Sequence, residues 1–267
     1  MKLIFCNGQP KSGSTFFFSL VNQLVPHVEL RTTNEALRDA LAGNEAARKI
    51  LYLQNGEYTG YVNGGISRAA HAFATLPLPG DARLVVKTHD PEPAAAALMP
   101  PGTTIITTFR DPLDVMMALR DQADRERLRP AGTVRPGFLA NATHARALAS
   151  AAEFTARLLR SFSPSNWYLE YPAFVRPLPD QAAMLAAMLG VDERRITETV
   201  ASLDHDIRSG RVIAEFNRGE AGRGRQIIDE LVRNGSVPLG LAQQAVAWHR
   251  ELVGLVARHR QGIIARQ

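Results

Sequence analysis

Three short stretches of this chain gather cations, hydroxyls and an imidazole where an anion could be held and a proton moved. The first is Gly8-Gln-Pro-Lys-Ser-Gly-Ser-Thr15, set between an apolar run and a helix-compatible segment. Strand, loop and helix in that order make an anion cradle, because free backbone N–H groups at a helix N-terminus point at whatever sits in the loop. Against the nucleotide-binding pattern G-x-x-x-x-G-K-[ST], Gly8, Gly13 and Thr15 match, but Ser14 stands where the lysine belongs. The loop's lysine is instead Lys11. The cradle is kept and its cation re-aimed, which argues against ordinary ATP or GTP hydrolysis. The second stretch, Val85-Val-Lys-Thr-His-Asp90, carries Lys87 and His89. The third, Thr108-Phe-Arg-Asp-Pro-Leu-Asp-Val115, carries Arg110, a guanidinium fork suited to phosphate. The chain has only four lysines, at 2, 11, 49 and 87, and arginine supplies nearly all other basic charge. Lysines at 11 and 87 therefore mark a need for a compact, mobile ammonium.

The elements that must position these groups alternate. Residues 3–7 read as a buried strand and Ser14–Leu24 as its helix, and the pattern over 34–53 is helical. Residues 54–80 are rich in Gly, Tyr and Asn without a clean period, and a loop of that length is usually functional, so acceptor recognition is expected partly there. The β-branched runs 83–86 and 103–109 predict strands, and Pro112–Arg127 a helix with proline in its first turn. After a break at 130–136, the spacing predicts a long alanine-rich helix over 137–161 and a strand over 166–171. Helices follow at Leu178–Leu189, 192–203 and 238–259. Strands alternating with helices predict an α/β fold: one P-loop-type domain over 1–267, with a central parallel sheet flanked by helices on both faces. Parallel sheets hold ligands at the carboxyl ends of their strands, which would set Lys87 and His89 beside the first loop.

Composition narrows the classes. A hydrophobic content of 45% supports a full core. No uncharged apolar run is long enough to span a bilayer, and the chain enters its first strand with no separate apolar leader, so a cytoplasmic protein is expected. The lone Cys6 excludes an internal disulfide and a multi-cysteine metal site. A net charge of +5 admits anionic ligands, but it is scattered among acids, with no basic run or nucleic-acid motif, so no nucleic-acid partner is expected. His27, His71, His144 and His205 lack the spacing of a metal site, and His249 and His259 lie on a helix whose surface is full of arginine.

The same residues carry a resemblance. Gln9-Pro-Lys-Ser-Gly-Ser-Thr-Phe16 resembles the P-K-S-G-T-T-W loop of sulfotransferases, which holds the 5′-phosphosulfate of 3′-phosphoadenosine 5′-phosphosulfate (PAPS). Lys87-Thr-His89 resembles the K-T-H segment of cytosolic members, whose histidine deprotonates the acceptor. Arg110-Asp-Pro-Leu-Asp114 resembles the R-[ND]-P-x-D segment that grips the 3′-phosphate, although the family's serine eight residues on is here Ala118. Arg120 or Thr108 would have to replace that serine. Trp167-Tyr-Leu-Glu-Tyr171 is similar to the strand ending in Y-E-D, with Pro172 and Ala173 in place of its acids. Phe216-Asn-Arg-Gly-Glu-Ala-Gly222 is similar to the R-K-G-x-x-G segment, with Asn217 for its arginine and Arg218 for its lysine.

The resemblance implies a PAPS-dependent sulfotransferase that needs no metal. It casts Lys11, Lys87 and His89 as catalytic, with His89 as the general base. Lys11, Ser12, Gly13, Ser14, Thr15, Phe16, Arg110, Tyr171, Arg218 and Gly219 are cast as holding PAPS. The acceptor is a hydroxyl or amino group of a small molecule or of a glycan- or lipid-linked molecule. The alternatives are a small-molecule kinase or other P-loop NTPase, and a non-catalytic relative that retains the nucleotide site.

Overall fold

The computed structural model describes residues 2–24, 51–54, 57–62, 83–89, 102–130, 132–163, 166–171, 177–192, 194–208 and 221–264. Among the described residues, six strands form one sheet: β1 (Lys2–Gly8), β2 (Leu51–Gln54), β3 (Glu57–Val62), β4 (Arg83–Thr88), β5 (Thr104–Phe109) and β6 (Trp167–Glu170). Their order across the sheet is β2-β3-β4-β1-β5-β6. Neighbours from β3 to β6 are parallel, and β2 is an antiparallel edge on β3.

The register decides where the chemistry falls. Asn7 lies opposite Thr88, Gly8 opposite Thr108, and Phe109 opposite Glu170. These strands therefore end at a common edge, from which residues 9–13, His89, Arg110 and Tyr171 all emerge. Open parallel sheets bind their ligands at that edge, outside the carboxyl ends of the strands.

Helices cover both faces. On one face α1 (Ser14–Leu24) packs on Ile4, Cys6, Val85, Ile106 and Leu169 through Phe17, Leu20, Val21 and Leu24. Its spacing of apolar residues three and four apart makes that stripe. Two further helices, Leu178–Leu189 and Arg194–Arg208, close the same cluster, and on α1 Phe17 is fully buried. On the other face Phe109 and Tyr168 meet Phe154 and Leu158, together with Leu252 and Val256 of the last helix, Leu239–Ile264.

Numbered along the chain, the remaining helices are α2 (Pro112–Arg127), α3 (Pro136–Leu139), α4 (His144–Arg160), α5 (Leu178–Leu189), α6 (Arg194–Arg208), α7 (Arg223–Arg233) and α8 (Leu239–Ile264). Asp111 caps α2 by accepting from Leu113 N at 3.0 Å, with Pro112 in the first turn.

Several expectations are corrected. Residues 51–53, expected to end a helix, belong to strand β2, because Leu51 and Leu53 alternate with polar-tipped neighbours and pair with β3. Strand β3 falls inside the stretch expected to be a loop; its Tyr-Thr-Gly-Tyr-Val segment suits a pleat, and the surrounding glycines masked that period. The long helix expected over 137–161 is two helices. Thr143 caps α4 by accepting from Arg146 N, and a turn separates it from α3. Helix α6 runs later than the expected 192–203, α8 runs beyond 259, and α7 was not anticipated. The remainder of 34–53 and most of 54–80 lie outside the described residues.

Candidate active site at the carboxyl edge of the sheet

The loop after β1 is fastened to β5 before it reaches α1. Gln9 donates its backbone N–H to the Thr108 carbonyl at 2.9 Å. Its fully buried side chain donates to the Ala151 carbonyl at 3.2 Å and accepts from Arg110 N at 3.0 Å. Ser12 donates its N–H to the Gln9 carbonyl at 3.0 Å, and its hydroxyl donates to the same carbonyl at 2.7 Å while lying 2.8 Å from the Thr108 hydroxyl. Ser12 thus fixes the loop's shape from within. Two residues adopt left-handed backbone, Lys11 at φ 67° and Gly13 at φ 78°. For lysine that conformation is costly, and costs of this kind collect at sites where a backbone must present a side chain. The first-turn amides of α1 have no carbonyl four residues back within the helix, and of these Phe17 N donates to the Gly13 carbonyl at 3.0 Å.

Three cationic or titratable groups converge beside this loop. Lys87 Nζ donates to Thr15 Oγ1 at 2.6 Å, which ties the end of β4 to the start of α1. Burial lowers the Lys87 pKa to about 8; Cys6 opposes this, and the nearby charge of Lys11 adds a smaller lowering. His89 Nδ1 lies 2.7 Å from the Gly8 carbonyl. A carbonyl only accepts, so Nδ1 carries the hydrogen and the neutral ring keeps its lone pair on Nε2. Burial, then the positive charges of Lys87 and Lys11, lower the His89 pKa to about 4, and the Gly8 hydrogen bond only partly offsets them. His89 is therefore neutral at neutral pH. Lys11 Nζ donates to Gln122 Oε1 of α2 at 2.8 Å. Burial pushes the Cys6 thiol well above its usual range, so it is an inert core group.

Arg110 stands on the other flank of the loop and is only 4% exposed. Its guanidinium lies 4.2 Å from the centre of the Tyr171 ring and 3.7 Å from Asp114 Oδ2. The same tyrosine packs on the loop: a Cβ added at Gly13 would stand 3.2 Å from Tyr171 Cε2. Asp114 reaches further. Its Oδ2 accepts from Gly222 N and its Oδ1 from Gly224 N, each at 2.9 Å. This buried carboxylate clips the start of α7 to α2, and Arg225 to Asp111 (2.6 Å) and Arg223 to Asp121 (2.9 Å) add outer ties. Gly224 is required by closeness, since a side chain there would collide with the Leu113 backbone.

The residues expected to hold PAPS or act in catalysis divide as follows. Lys11, Gly13, Thr15, Lys87, His89, Arg110 and Tyr171 surround one edge of the sheet. Ser14 is buried at the start of α1. Phe16 sits in the core cluster with Phe17 and Leu20. Arg218 and Gly219 lie outside the described residues, which resume at 221, beside the Asp114 clip. Neither stand-in for the serine missing at Ala118 points to a ligand. The Thr108 hydroxyl is engaged with Ser12, and Arg120 binds the Ala142 carbonyl at 2.7 Å and Asp124 at 3.0 Å.

Sequence reasoning missed Gln9, Gln122 and the reach of Asp114, because each acts on a partner about a hundred residues away in the chain. It also set His249 on an arginine-rich surface. His249 is instead buried 3.2 Å from Glu170, next to Tyr171 in the chain, and meets Phe109 edge-on. Its helix presents this apolar-lined side inward.

No protein-family model matches the chain, and no curated protein sequence matches it. Solved structures similar to it include retinol dehydratase in complex with androsterone and inactive cofactor PAP, at 18% identity over 94% of this chain and 80% of that one, with a TM-score of 0.45. A mouse sulfotransferase complexed with PAP is similar at 15% identity over 94% of this chain and 89% of that one, with a TM-score of 0.45. The sulfotransferase domain from the curacin biosynthetic pathway is similar at 13% identity over 73% and 76%, with a TM-score of 0.40. These three are two sulfotransferases and a retinol dehydratase.

Proposed function

We propose that this chain moves a sulfuryl group from PAPS to a hydroxyl or amino group of a small-molecule acceptor. The observation that carries the reading is the meeting of Lys87, Thr15 and His89 on one flank of the Lys11 loop with Arg110 and Tyr171 on the other. In this reading the amides at the start of α1, with Ser14 and Thr15, hold the 5′-phosphosulfate. Arg110 takes the 3′-phosphate, and the resemblance assigns Arg218 and Gly219, which lie outside the described residues, to the same phosphate. Tyr171 borders the nucleotide between loop and guanidinium. Ser12 and Phe16 support the cradle from behind.

The reacting atoms balance simply. The acceptor oxygen or nitrogen forms a bond to sulfur as the bond from sulfur to the bridging phosphate oxygen breaks. That electron pair leaves with 3′,5′-adenosine bisphosphate (PAP), and the acceptor proton passes to His89 Nε2. Neutral imidazole with Nδ1–H held by Gly8 is the form that accepts it. Lys11 and Lys87 place positive charge where it builds on the transferring group and leaving oxygen. Part of what lowers the His89 pKa is the charge of these lysines. An anionic donor between them offsets that charge, so the base strengthens as the donor binds.

Thermal melting with ligands tests the reading. PAP should stabilise the chain without added metal, by about 2.7 kcal/mol at one hundred times its dissociation constant. ATP with Mg²⁺ should do far less, and Arg110→Ala should erase the advantage of PAP over adenosine 5′-phosphate. Stabilisation by ATP with Mg²⁺ alone would replace this reading with a P-loop kinase. PAP binding without sulfuryl transfer to any acceptor would leave a non-catalytic relative.

A further inference from the structure

Helix α8 turns a buried stripe toward the rest of the protein: Ala242, Ala245, His249, Leu252 and Val256, three and four residues apart. His249, only 4% exposed, is the polar member of that stripe. An imidazole placed there loses its water, which costs free energy that a leucine would not lose. What it gains is one directed contact. Nε2 lies 3.2 Å from Glu170 Oε1, and because a carboxylate only accepts, Nε2 carries the hydrogen. Nδ1 is buried with no hydrogen-bond partner among the described residues, and the ring stands edge-on to Phe109 with centroids 6.1 Å apart.

That contact falls where the nucleotide site begins. Phe109 and Glu170 are register partners and the last residues of β5 and β6. The residues that follow them are Arg110 and Tyr171, whose guanidinium and ring stack at 4.2 Å. One side chain of α8 thus touches the residue immediately before each member of the stacked pair. The β5–β6 ladder ends at Glu170, so the sheet alone does not fix Tyr171. Its ring also closes on the loop, where a Cβ added at Gly13 would stand 3.2 Å from Cε2. A shift of the strand end would therefore draw the ring away from both Arg110 and the loop.

We infer that His249 is a positioning residue for the nucleotide site: by holding Glu170 and bracing Phe109 it sets Tyr171 against Arg110, and so sharpens the preference for a ligand that carries a 3′-phosphate. This rests on the sulfuryl-transfer reading, which gives that phosphate to Arg110. The 5′ end of the nucleotide is expected to feel the change little. Lys87 and His89 come from β4, which β1 and β5 separate from β6.

The test compares the full wild-type chain with His249→Leu and His249→Gln. Leucine matches the rest of the stripe and removes the donor, whereas glutamine carries an amide N–H at about the reach of Nε2. Calorimetry gives affinities for PAP and for adenosine 5′-phosphate, and NMR of the free chain follows the Arg110 Nε–H, a buried group displaced by the ring current of Tyr171. The expected result is that His249→Leu weakens PAP binding by about tenfold, the order of one hydrogen bond to a charged group, and leaves adenosine 5′-phosphate nearly unchanged. The Arg110 resonance should move toward that of an unstacked arginine, and His249→Gln should restore both. A merely structural role would weaken both ligands together or would not be rescued by glutamine, and either result overturns the inference. Unchanged PAP affinity with an unmoved resonance in His249→Leu also overturns it. A wild type that binds PAP no better than adenosine 5′-phosphate, with the resonance still moved by leucine and restored by glutamine, would instead sink the sulfuryl-transfer reading and leave the positioning of Tyr171 standing.

Discussion

Replacing Asp114 by alanine removes a carboxylate that serves three partners at once. It accepts from two amides at 2.9 Å, those of Gly222 and Gly224, and stands 3.7 Å from the Arg110 guanidinium. A hydrogen bond to a charged group contributes about 1.5–3 kcal/mol, so the two amides alone suggest about 3–6 kcal/mol. Removing one partner of a buried ion pair costs about 3–5 kcal/mol. The two figures describe the same carboxylate and do not add. Water can reach the half-buried Gly222 amide but not the buried Gly224 amide, which brings the expectation to about 3 kcal/mol. Asp114→Asn keeps one acceptor and turns an N–H toward a second N–H, so it should fall between wild type and Ala. Urea unfolding of the three proteins measures this, and PAP titration measures the consequence for Arg110. Affinity for PAP should drop about tenfold or more in Asp114→Ala, since Arg110 loses its orienting partner and residues 221–224 lose their anchor. An alanine variant within about 1 kcal/mol of wild type, with unchanged PAP affinity, would refute the account of Asp114 as the clip between α2 and α7.

Three further outcomes are expected. His89→Ala should lower turnover by about 10²–10⁴-fold while leaving PAP affinity nearly intact, and steady-state kinetics beside a PAP titration would expose a structural role if both fell together. With the Lys87 pKa at about 8, the ammonium is present below that pH and is lost above it. PAP affinity should therefore be flat from about pH 7, where its phosphates are fully ionised, to about pH 8 and decline by up to about tenfold per unit above it, a slope that Lys87→Met should abolish. His89 behaves oppositely to a paired histidine: its folded pKa of about 4 lies below the ordinary 6.5, so between those values the unfolded chain binds more protons. Its contribution to stability is complete above about pH 6.5 and is lost as pH falls toward 4; urea midpoints near pH 7 and 5 should differ by less in His89→Gln than in wild type.

The sequence made the central sheet legible because its strands β1, β4, β5 and β6 are short apolar or β-branched runs that end at Gly8, Thr88, Phe109 and Glu170, each followed by a polar group. Helices α1, α2 and α5 were readable from apolar periodicity, the Asp111-Pro112 start of α2 and Pro179 in the first turn of α5. Strands β2 and β3 were not, because four- and six-residue segments set among Gly and Asn carry too little period to separate them from loop. The split between α3 and α4 was hidden for another reason: alanine-rich residues favour helix throughout, and only the Thr143 cap and the Glu126 bond to Arg135 N stop it.

Residue type and spacing alone determined that Lys11, His89 and Arg110 follow strands and that Lys87 lies near the end of one, and parallel pairing then obliges them to share an edge. What only the tertiary structure decided is how each is held. The Gly8 carbonyl selects the His89 tautomer, Gln122 holds the Lys11 ammonium, and Asp114 joins Arg110 to Gly222 and Gly224. Those partners lie from about eighty to more than a hundred residues away in the chain, and side-chain periodicity encodes which face a residue takes but not which distant atom will meet it there.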